Sequence, residues 1–119
     1  MTQIPSISIP KWSISLLNNV YELESKLVTH GDPGNGLRNV EKIRDLLREE
    51  GLTYENPLGQ VFKETRTDLD ASISGEGIEN LRVVEVIKPI VRVSFEGFSR
   101  VVQKGIVLVQ SDNDEGSSS

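Results

Sequence analysis

The sequence contains no cysteine, a single histidine and few aromatic residues, and it has no long apolar run. Without cysteine the chain can form no disulfide, thiol nucleophile or cysteine-based zinc site. No apolar run approaches the roughly 20 residues that span a bilayer, and the N-terminal segment lacks the basic and apolar regions of a signal peptide. We therefore expect a cytoplasmic protein that has no membrane partner.

The charge balance also argues against nucleic acid as a partner. The 119 residues carry a formal net charge of -5 at pH 7, and an acidic surface repels phosphate backbones. Hydrophobic residues make up 36% and aromatic residues 5%, which is lean for a globular domain. The chain is long enough for one domain with a modest core, part of which a protein partner could complete.

The most apolar and most β-branched stretch, residues 81–110, predicts the β-sheet of the domain. Branching at Cβ suits a pleated, half-buried surface, and two glycines within the stretch mark turns or bulges. Pro89 interrupts the longest apolar run and cannot donate to a sheet ladder. We therefore expect one strand over Leu81–Lys88 and another over Ile90–Phe95, in a small antiparallel sheet of three to four strands.

Two amphipathic helices are predicted before the sheet. Apolar residues recur at helical spacing over Lys11–Thr29 and again over Leu37–Glu50. The segment between them reads HGDPGNG, and its glycines and proline end the first helix. Because no strand precedes this loop and no Lys-Ser/Thr follows it, a helix–helix connector is favoured over a phosphate-binding P-loop. A short connection predicts an antiparallel helical hairpin.

The expected fold is therefore α+β, with an N-terminal helical hairpin followed by a small antiparallel β-sheet domain. Residues 1–10 alternate isoleucine with serine between prolines, which predicts an extended arm, either free or docked on a sheet edge or on a second subunit. Residues 11–51 are assigned to the hairpin and residues 52–110 to the β-rich domain. Residues 111–119 are polar and acidic, and are expected to be a disordered tail.

The most charged segment before the sheet, KETRTDLD, is the main candidate for chemistry. It lies within Val61–Ile73, for which we expect a short strand, a charged turn and a second strand. It places Glu64, Asp68 and Asp70 around Arg66. Paired carboxylates can perform acid–base catalysis or bind a hard cation, but this spacing matches no calcium loop. A charged turn with internal ion pairs is favoured, and a polar recognition surface is the alternative.

The other candidate residues also argue against catalysis. His30 lies in the helix connector, where no motif places a serine or an aspartate beside it. Phe95 and Phe98 flank a predicted turn at Glu96-Gly97. They either fold back on the sheet, which is favoured, or anchor a partner. We therefore expect no catalytic residue, no metal site and no cofactor.

The stretch 83–110 resembles the C-terminal β-domain of GrpE, the nucleotide exchange factor of DnaK-type chaperones. That family shows a VVEV-like strand, a Gly-aromatic turn and a strand reading roughly RVLRPAMVVV. In this chain Val83–Val86 is similar to the first strand, Gly97-Phe98 to the turn and Arg100–Val109 to the last strand. Gly51–Pro57 is similar to the family's segment of Gly, aromatic, Asp and Pro that leads from helix to sheet.

The chain also departs from the family pattern. Gln103-Lys104 replaces an Arg-Pro pair, and the His-Glu-Ala that follows the family's Asp-Pro segment is missing. Residues 64–79 resemble an insertion. Two short helices, broken at GDPGNG, stand in place of the family's long N-terminal dimerisation helix.

The resemblance implies a homodimer formed through the helices and a β-domain that contacts the nucleotide-binding domain of the chaperone. Such factors stabilise the open nucleotide cleft, so that ADP leaves faster without a catalytic residue. We therefore expect a GrpE-like exchange factor; the alternative is a non-catalytic adaptor or scaffold module of a larger complex, and a small enzyme is the least favoured. The expected partner-binding residues are Glu64, Arg66, Asp68, Phe95, Phe98 and Arg100.

Overall fold

The computed structural model describes residues 9–112, which form two helices followed by six strands. This order confirms the predicted α+β class. Helix α1 spans Lys11–His30 and helix α2 spans Gly36–Glu49. The strands are β1 (Leu52–Glu55), β2 (Leu69–Ser74), β3 (Leu81–Lys88), β4 (Ile90–Phe95), β5 (Phe98–Gln103) and β6 (Gly105–Ser111).

The strands divide into two small sheets, where the sequence predicts one sheet of three to four strands. The first sheet has the order β1-β4-β5 and is antiparallel throughout. The second sheet has the order β2-β6-β3, in which β3 is antiparallel to β6 and β2 is parallel to it. The chain leaves the second sheet at Pro89 and returns to it at Lys104. The predicted break at Pro89 is confirmed, with the strand bounds on either side as expected.

Each sheet contributes to its own apolar core. In the first core, Leu17 and Val20 of α1 and Val40 of α2 pack with Tyr54 and Val91 of the first sheet. The helices therefore cover one face of the first sheet. The second core is formed by the buried residues Leu69, Leu81, Val83, Ile90, Val107 and Val109. Because Ile90 belongs to the first sheet, the second core joins the two sheets.

The loop between the helices is a connector, as predicted. Helix α1 is followed by Gly31, which has a φ of 99° and whose N–H donates to the Leu27 carbonyl at 3.0 Å. The Asp32 carboxylate accepts hydrogen bonds from the backbone N–H groups of Gly36 and Leu37 at the start of α2. This carboxylate occupies the position where a phosphate would bind at a helix N-terminus.

Some predicted boundaries differ from the structure or fall outside it. The arm lies mostly within residues 1–8 and the acidic tail within residues 113–119, outside the described residues. Ser111, assigned to the tail, instead ends β6 and is buried, and its hydroxyl donates to the Glu79 carbonyl at 2.6 Å. The short strand expected at Val61 is a single bridge to Arg82.

Candidate functional site

The charged segment KETRTDLD forms an ion-pair network at the junction of the two sheets. Arg66 donates from Nε and from Nη2 to the Asp68 carboxylate, both at 3.0 Å, and from Nη1 to Gln60 Oε1 at 3.0 Å. Arg92 of β4 donates from Nη2 to the same carboxylate at 3.1 Å, and its Nε lies 3.7 Å from Glu55 Oε1. Asp68 therefore links the start of the second sheet to the first sheet. We call this network the sheet junction.

The geometry of the sheet junction favours a role in stability over a role in proton transfer. Its Asp68 side chain is 17% exposed, and the hydrogen bonds from Arg66 hold the pKa of this carboxyl below its ordinary value. A carboxylate that stays ionised and is enclosed by two guanidinium groups is a poor general base. The favoured interpretation, a charged turn with internal ion pairs, fits this geometry. Glu64 is exposed beside it.

The turn between β4 and β5 presents two phenylalanines at the end of the first sheet. Phe95 pairs with Phe98 across the hairpin, and the two turn residues, Glu96 and Gly97, have φ values of 45° and 84°. Two positive φ angles in a two-residue loop are typical of a type I′ turn. Phe95 is 50% exposed and Phe98 is 45% exposed. The expected folding back of these rings on the sheet is therefore incomplete.

Phe95 and Phe98 stay partly exposed because the helices that pack on the first sheet do not extend over these two rings. Val91, Val93 and Phe95 alternate along β4 and share one face of the first sheet, and Val91 is part of the core beneath the helices. Helix α2 ends at Glu49, before the chain enters β1. The apolar face of the sheet thus continues beyond the end of α2 without cover.

Gly51 sets the close approach of the α2 end to this hairpin. It has a φ of 79°, and a Cβ added there would clash with the carbonyl oxygen of Ser94. The Ser94 N–H donates to the Gly51 carbonyl at 2.8 Å. The second residue after α2 is therefore glycine because the backbone of β4 lies against it.

A groove of about 630 Å³ lies between the end of α2 and the β4–β5 turn, and we call it the turn groove. Residues 48–51 line one side and residues 94–99 the other. Its charged lining residues are three glutamates and one arginine, and that arginine, Arg48, is bonded to Asp45 at 2.9 Å. In the described part of the chain, no ion pair involves the glutamates, which are Glu49, Glu50 and Glu96.

The predicted site residues fall into two groups that the structure keeps apart. Arg100 lies opposite Val93 on β5, and so on the same face of the first sheet as Phe98. Arg92 alternates with Val93 along β4 and lies on the opposite face, where it binds Asp68. Phe95, Phe98 and Arg100 therefore form one region, and Glu64, Arg66 and Asp68 form another.

Two further apolar surfaces lie outside the predicted site residues. On α1, Trp12, Leu16 and Leu23 are exposed, and their spacing of four and seven residues puts them on one side of the helix. Beside the second sheet, a hollow of about 420 Å³ is lined by five apolar residues together with Lys63, Glu64 and Asn80. The exposed apolar residues around this hollow are Val61, Ile73 and Ile78.

Within residues 9–112, no three histidine, aspartate or glutamate side chains lie close enough together to hold a metal ion. Neither α1 nor α2 is long and apolar enough to cross a membrane.

Comparisons of the chain with protein-family models, with curated proteins and with solved structures find no match. The residues that resemble the GrpE β-domain lie on β3, on the β4–β5 turn and on β5 and β6. The stretch Arg100–Val109, matched to a single strand, is divided at Lys104 between strands of different sheets.

Proposed function

We propose that this protein is a cytoplasmic GrpE-like factor that binds a DnaK-type chaperone and promotes nucleotide exchange. The observation that carries the proposal is the pair of half-exposed phenylalanines, Phe95 and Phe98, which flank a two-residue turn within the stretch that resembles the family. Aromatic anchors on a preorganised support contribute a large share of binding energy at protein interfaces.

Exchange by this route requires binding and no catalytic group in the factor itself. A factor that binds the open nucleotide cleft more tightly than the closed cleft shifts the chaperone toward the open state. ADP then dissociates faster. The enclosed ion pairs of the sheet junction agree with a protein that acts through its surface.

A polar cluster connects the helices rigidly to the sheet that carries the turn. The Tyr54 hydroxyl donates to Glu24 Oε1 at 3.1 Å, and Arg44 Nη1 donates to Glu24 Oε2 at 3.0 Å. The Arg44 guanidinium lies 5.1 Å from the centre of the Tyr54 ring. Burial, and then the charge of Glu24, raise the pKa of Tyr54 far above its usual range, so its hydroxyl remains a donor. One residue from each of α1, α2 and β1 is thereby held in a fixed geometry.

The homodimer belongs to the same proposal. Its support is the exposed side of α1 that carries Trp12, Leu16 and Leu23, together with exposed Leu46 on α2. A helix of 20 residues is about 30 Å long, so α1 offers an extended strip for a second copy of the chain. Sedimentation of the wild type and of a Leu16→Glu/Leu23→Glu variant tests this. A wild type that remains monomeric at high concentration would overturn the dimer alone.

The direct test of the proposed activity is release of a fluorescent ADP analogue from DnaK-type chaperones of the same organism. We expect the wild type to accelerate release and a Phe95→Ser/Phe98→Ser variant to lose most of the acceleration. A control is Ile73→Ser/Ile78→Ser, which removes two exposed apolar side chains beside the second sheet, away from the turn. If no chaperone responds to the wild type, the exchange function is wrong.

A non-catalytic adaptor or scaffold module is the second candidate function. The observation that favours it is the separation of two apolar surfaces, the turn groove and the hollow beside Ile73 and Ile78. An adaptor needs two such surfaces, and an exchange factor needs one for its chaperone. Capture of partners by the wild type, repeated with the two double variants above, would show whether different partners depend on the two surfaces.

A further inference from the structure

We propose that the turn groove recognises a protein segment in which lysine or arginine stands next to an aliphatic or aromatic side chain. This inference rests on the proposed protein-binding role of the turn and specifies the chemistry of the partner. It follows from two properties of the same groove, which are its exposed rings and its unpaired carboxylates.

The turn groove as a whole is large enough to accept side chains. Its volume of about 630 Å³ lies within the roughly 300–1,000 Å³ that ligand-binding clefts occupy. About half of the surface of Phe95 and of Phe98 faces solvent there. An aliphatic or aromatic side chain placed against these rings would remove that surface from water, which is favourable in proportion to the area covered.

The charged part of the groove is acidic. Glu49, Glu50 and Glu96 line it, and no ion pair within residues 9–112 neutralises them. The carbonyl groups at the C-terminal end of α2 add partial negative charge at the same place. Arg48 forms an exposed ion pair with Asp45. Arg100, which shares a face of the first sheet with Phe98, has no carboxylate partner within residues 9–112.

The acidic charge of the turn groove therefore determines which kind of segment binds there. A cationic side chain beside an apolar one would meet the glutamates and the rings together, and complementary potentials increase both specificity and association rate. An acidic segment would be repelled by three carboxylates. The turn groove is thus specific for a basic and apolar segment and disfavours an acidic one.

The test uses ¹⁵N-labelled protein and three acetylated eight-residue peptides. The first alternates leucine with lysine, the second alternates leucine with glutamate, and the third alternates serine with lysine. We expect the leucine–lysine peptide to shift the amide signals of residues 49–51 and 94–99. The leucine–glutamate peptide should leave them unchanged, and the serine–lysine peptide should bind at least tenfold more weakly.

A charge variant isolates the role of the glutamates. In Glu49→Gln/Glu50→Gln/Glu96→Asn we expect the affinity for the leucine–lysine peptide to fall about tenfold at low salt, since three exposed charge contacts of modest strength are lost. Asparagine suits the positive φ at position 96, so the turn is preserved. The matched control, Glu22→Gln/Glu41→Gln/Glu76→Gln, changes the net charge equally outside the groove and should bind within twofold of the wild type.

Several results would overturn the inference. These are equal binding of the glutamate peptide, equal losses in the two triple variants, shifts confined to other residues, or groove signals that move on dilution without peptide. The last result would make a second copy of this chain the occupant. Because no chaperone is used, a positive peptide result beside a negative nucleotide-release result would retain the groove and support the adaptor function.

Discussion

The sheet junction and the turn groove both contain carboxylate and guanidinium groups. The carboxylate at the junction is paired, whereas the glutamates at the groove are not. At the junction, Asp68 is enclosed by Arg66 and Arg92, and the charges satisfy one another. At the groove, three glutamates have no ion-pair partner within residues 9–112, and two phenylalanines are half exposed. Charges that pair internally stabilise the fold, whereas unpaired charges beside open apolar rings are available to a partner. The pairing of a charged residue is therefore more informative about its role than its presence in the sequence.

The largest effect on stability is expected from Asp68→Ala. This change leaves two partly buried guanidinium groups without their shared carboxylate, and we expect the free energy of unfolding to fall by about 2 kcal/mol. Urea unfolding measures it. Asp70→Ala is the control, because Asp70 is exposed and lies 3.9 Å from Lys104, and it should change stability by less than about 0.5 kcal/mol. Equal effects of the two changes would contradict a structural role specific to the junction.

Low pH should remove the contribution that Asp68 makes to the free energy of unfolding. The hydrogen bonds from Arg66 lower the pKa of Asp68 in the folded protein, so its stabilising effect is present above the unfolded pKa, near 3.8, and is lost as the pH falls through the folded pKa. We expect the difference in unfolding free energy between the wild type and Asp68→Asn to be constant above about pH 5 and to shrink toward pH 2. A difference that does not change with pH would show that Asp68 contributes nothing through its charge.

A smaller loss is expected at the polar cluster that joins the helices to the first sheet. Tyr54→Phe removes one hydrogen bond to Glu24 but leaves the ion pair between Arg44 and Glu24. We expect the free energy of unfolding to fall by about 1 kcal/mol. Tyr21→Phe is the control because its ring packs on Tyr54 while its hydroxyl is not bonded to Glu24. A larger loss in the control would contradict the account of this cluster.

The smallest effect on stability is expected at the β4–β5 turn, where the change should stabilise the protein. Glu96 has a φ of 45°, a conformation that asparagine tolerates better than glutamate. Glu96→Asn creates an Asn-Gly turn, and we expect the unfolding free energy to rise by about 0.5 kcal/mol. Thermal unfolding measures the change, and Glu96→Gln, which lacks this preference, should not raise it. A destabilised asparagine variant would contradict the turn geometry.

The strand bounds around Pro89 follow from the sequence, and the pairing of the strands does not. Proline has no N–H donor, so the break between β3 and β4 is a local property that a single residue reveals. The return to the second sheet at Lys104 has no such signal except the glycine that follows it. An added Cβ at Gly105 would lie 2.9 Å from Leu69 Cδ2, so this glycine reflects a contact with a distant strand. The parallel pairing of β2 with β6 likewise depends on that distant contact.

The candidate site could likewise be predicted only where its residues carry a local sequence signal. Phe95 and Phe98 flank a turn that the dipeptide Glu96-Gly97 indicates locally. Glu49 and Glu50 read as the solvated end of a helix, because nothing in their own segment shows that a hairpin 45 residues later lies beside them. The segment KETRTDLD looks equally suited to chemistry or to structure until Arg92 is placed against Asp68.

Nucleotide release from DnaK-type chaperones, measured with the wild type, Phe95→Ser/Phe98→Ser and Asp68→Asn side by side, tests the central claim most directly. The account predicts faster ADP release with the wild type and with folded Asp68→Asn, and little acceleration with the phenylalanine variant. Equal activity of all three would show that the turn is not the contact surface. No acceleration by the wild type would contradict the exchange function itself.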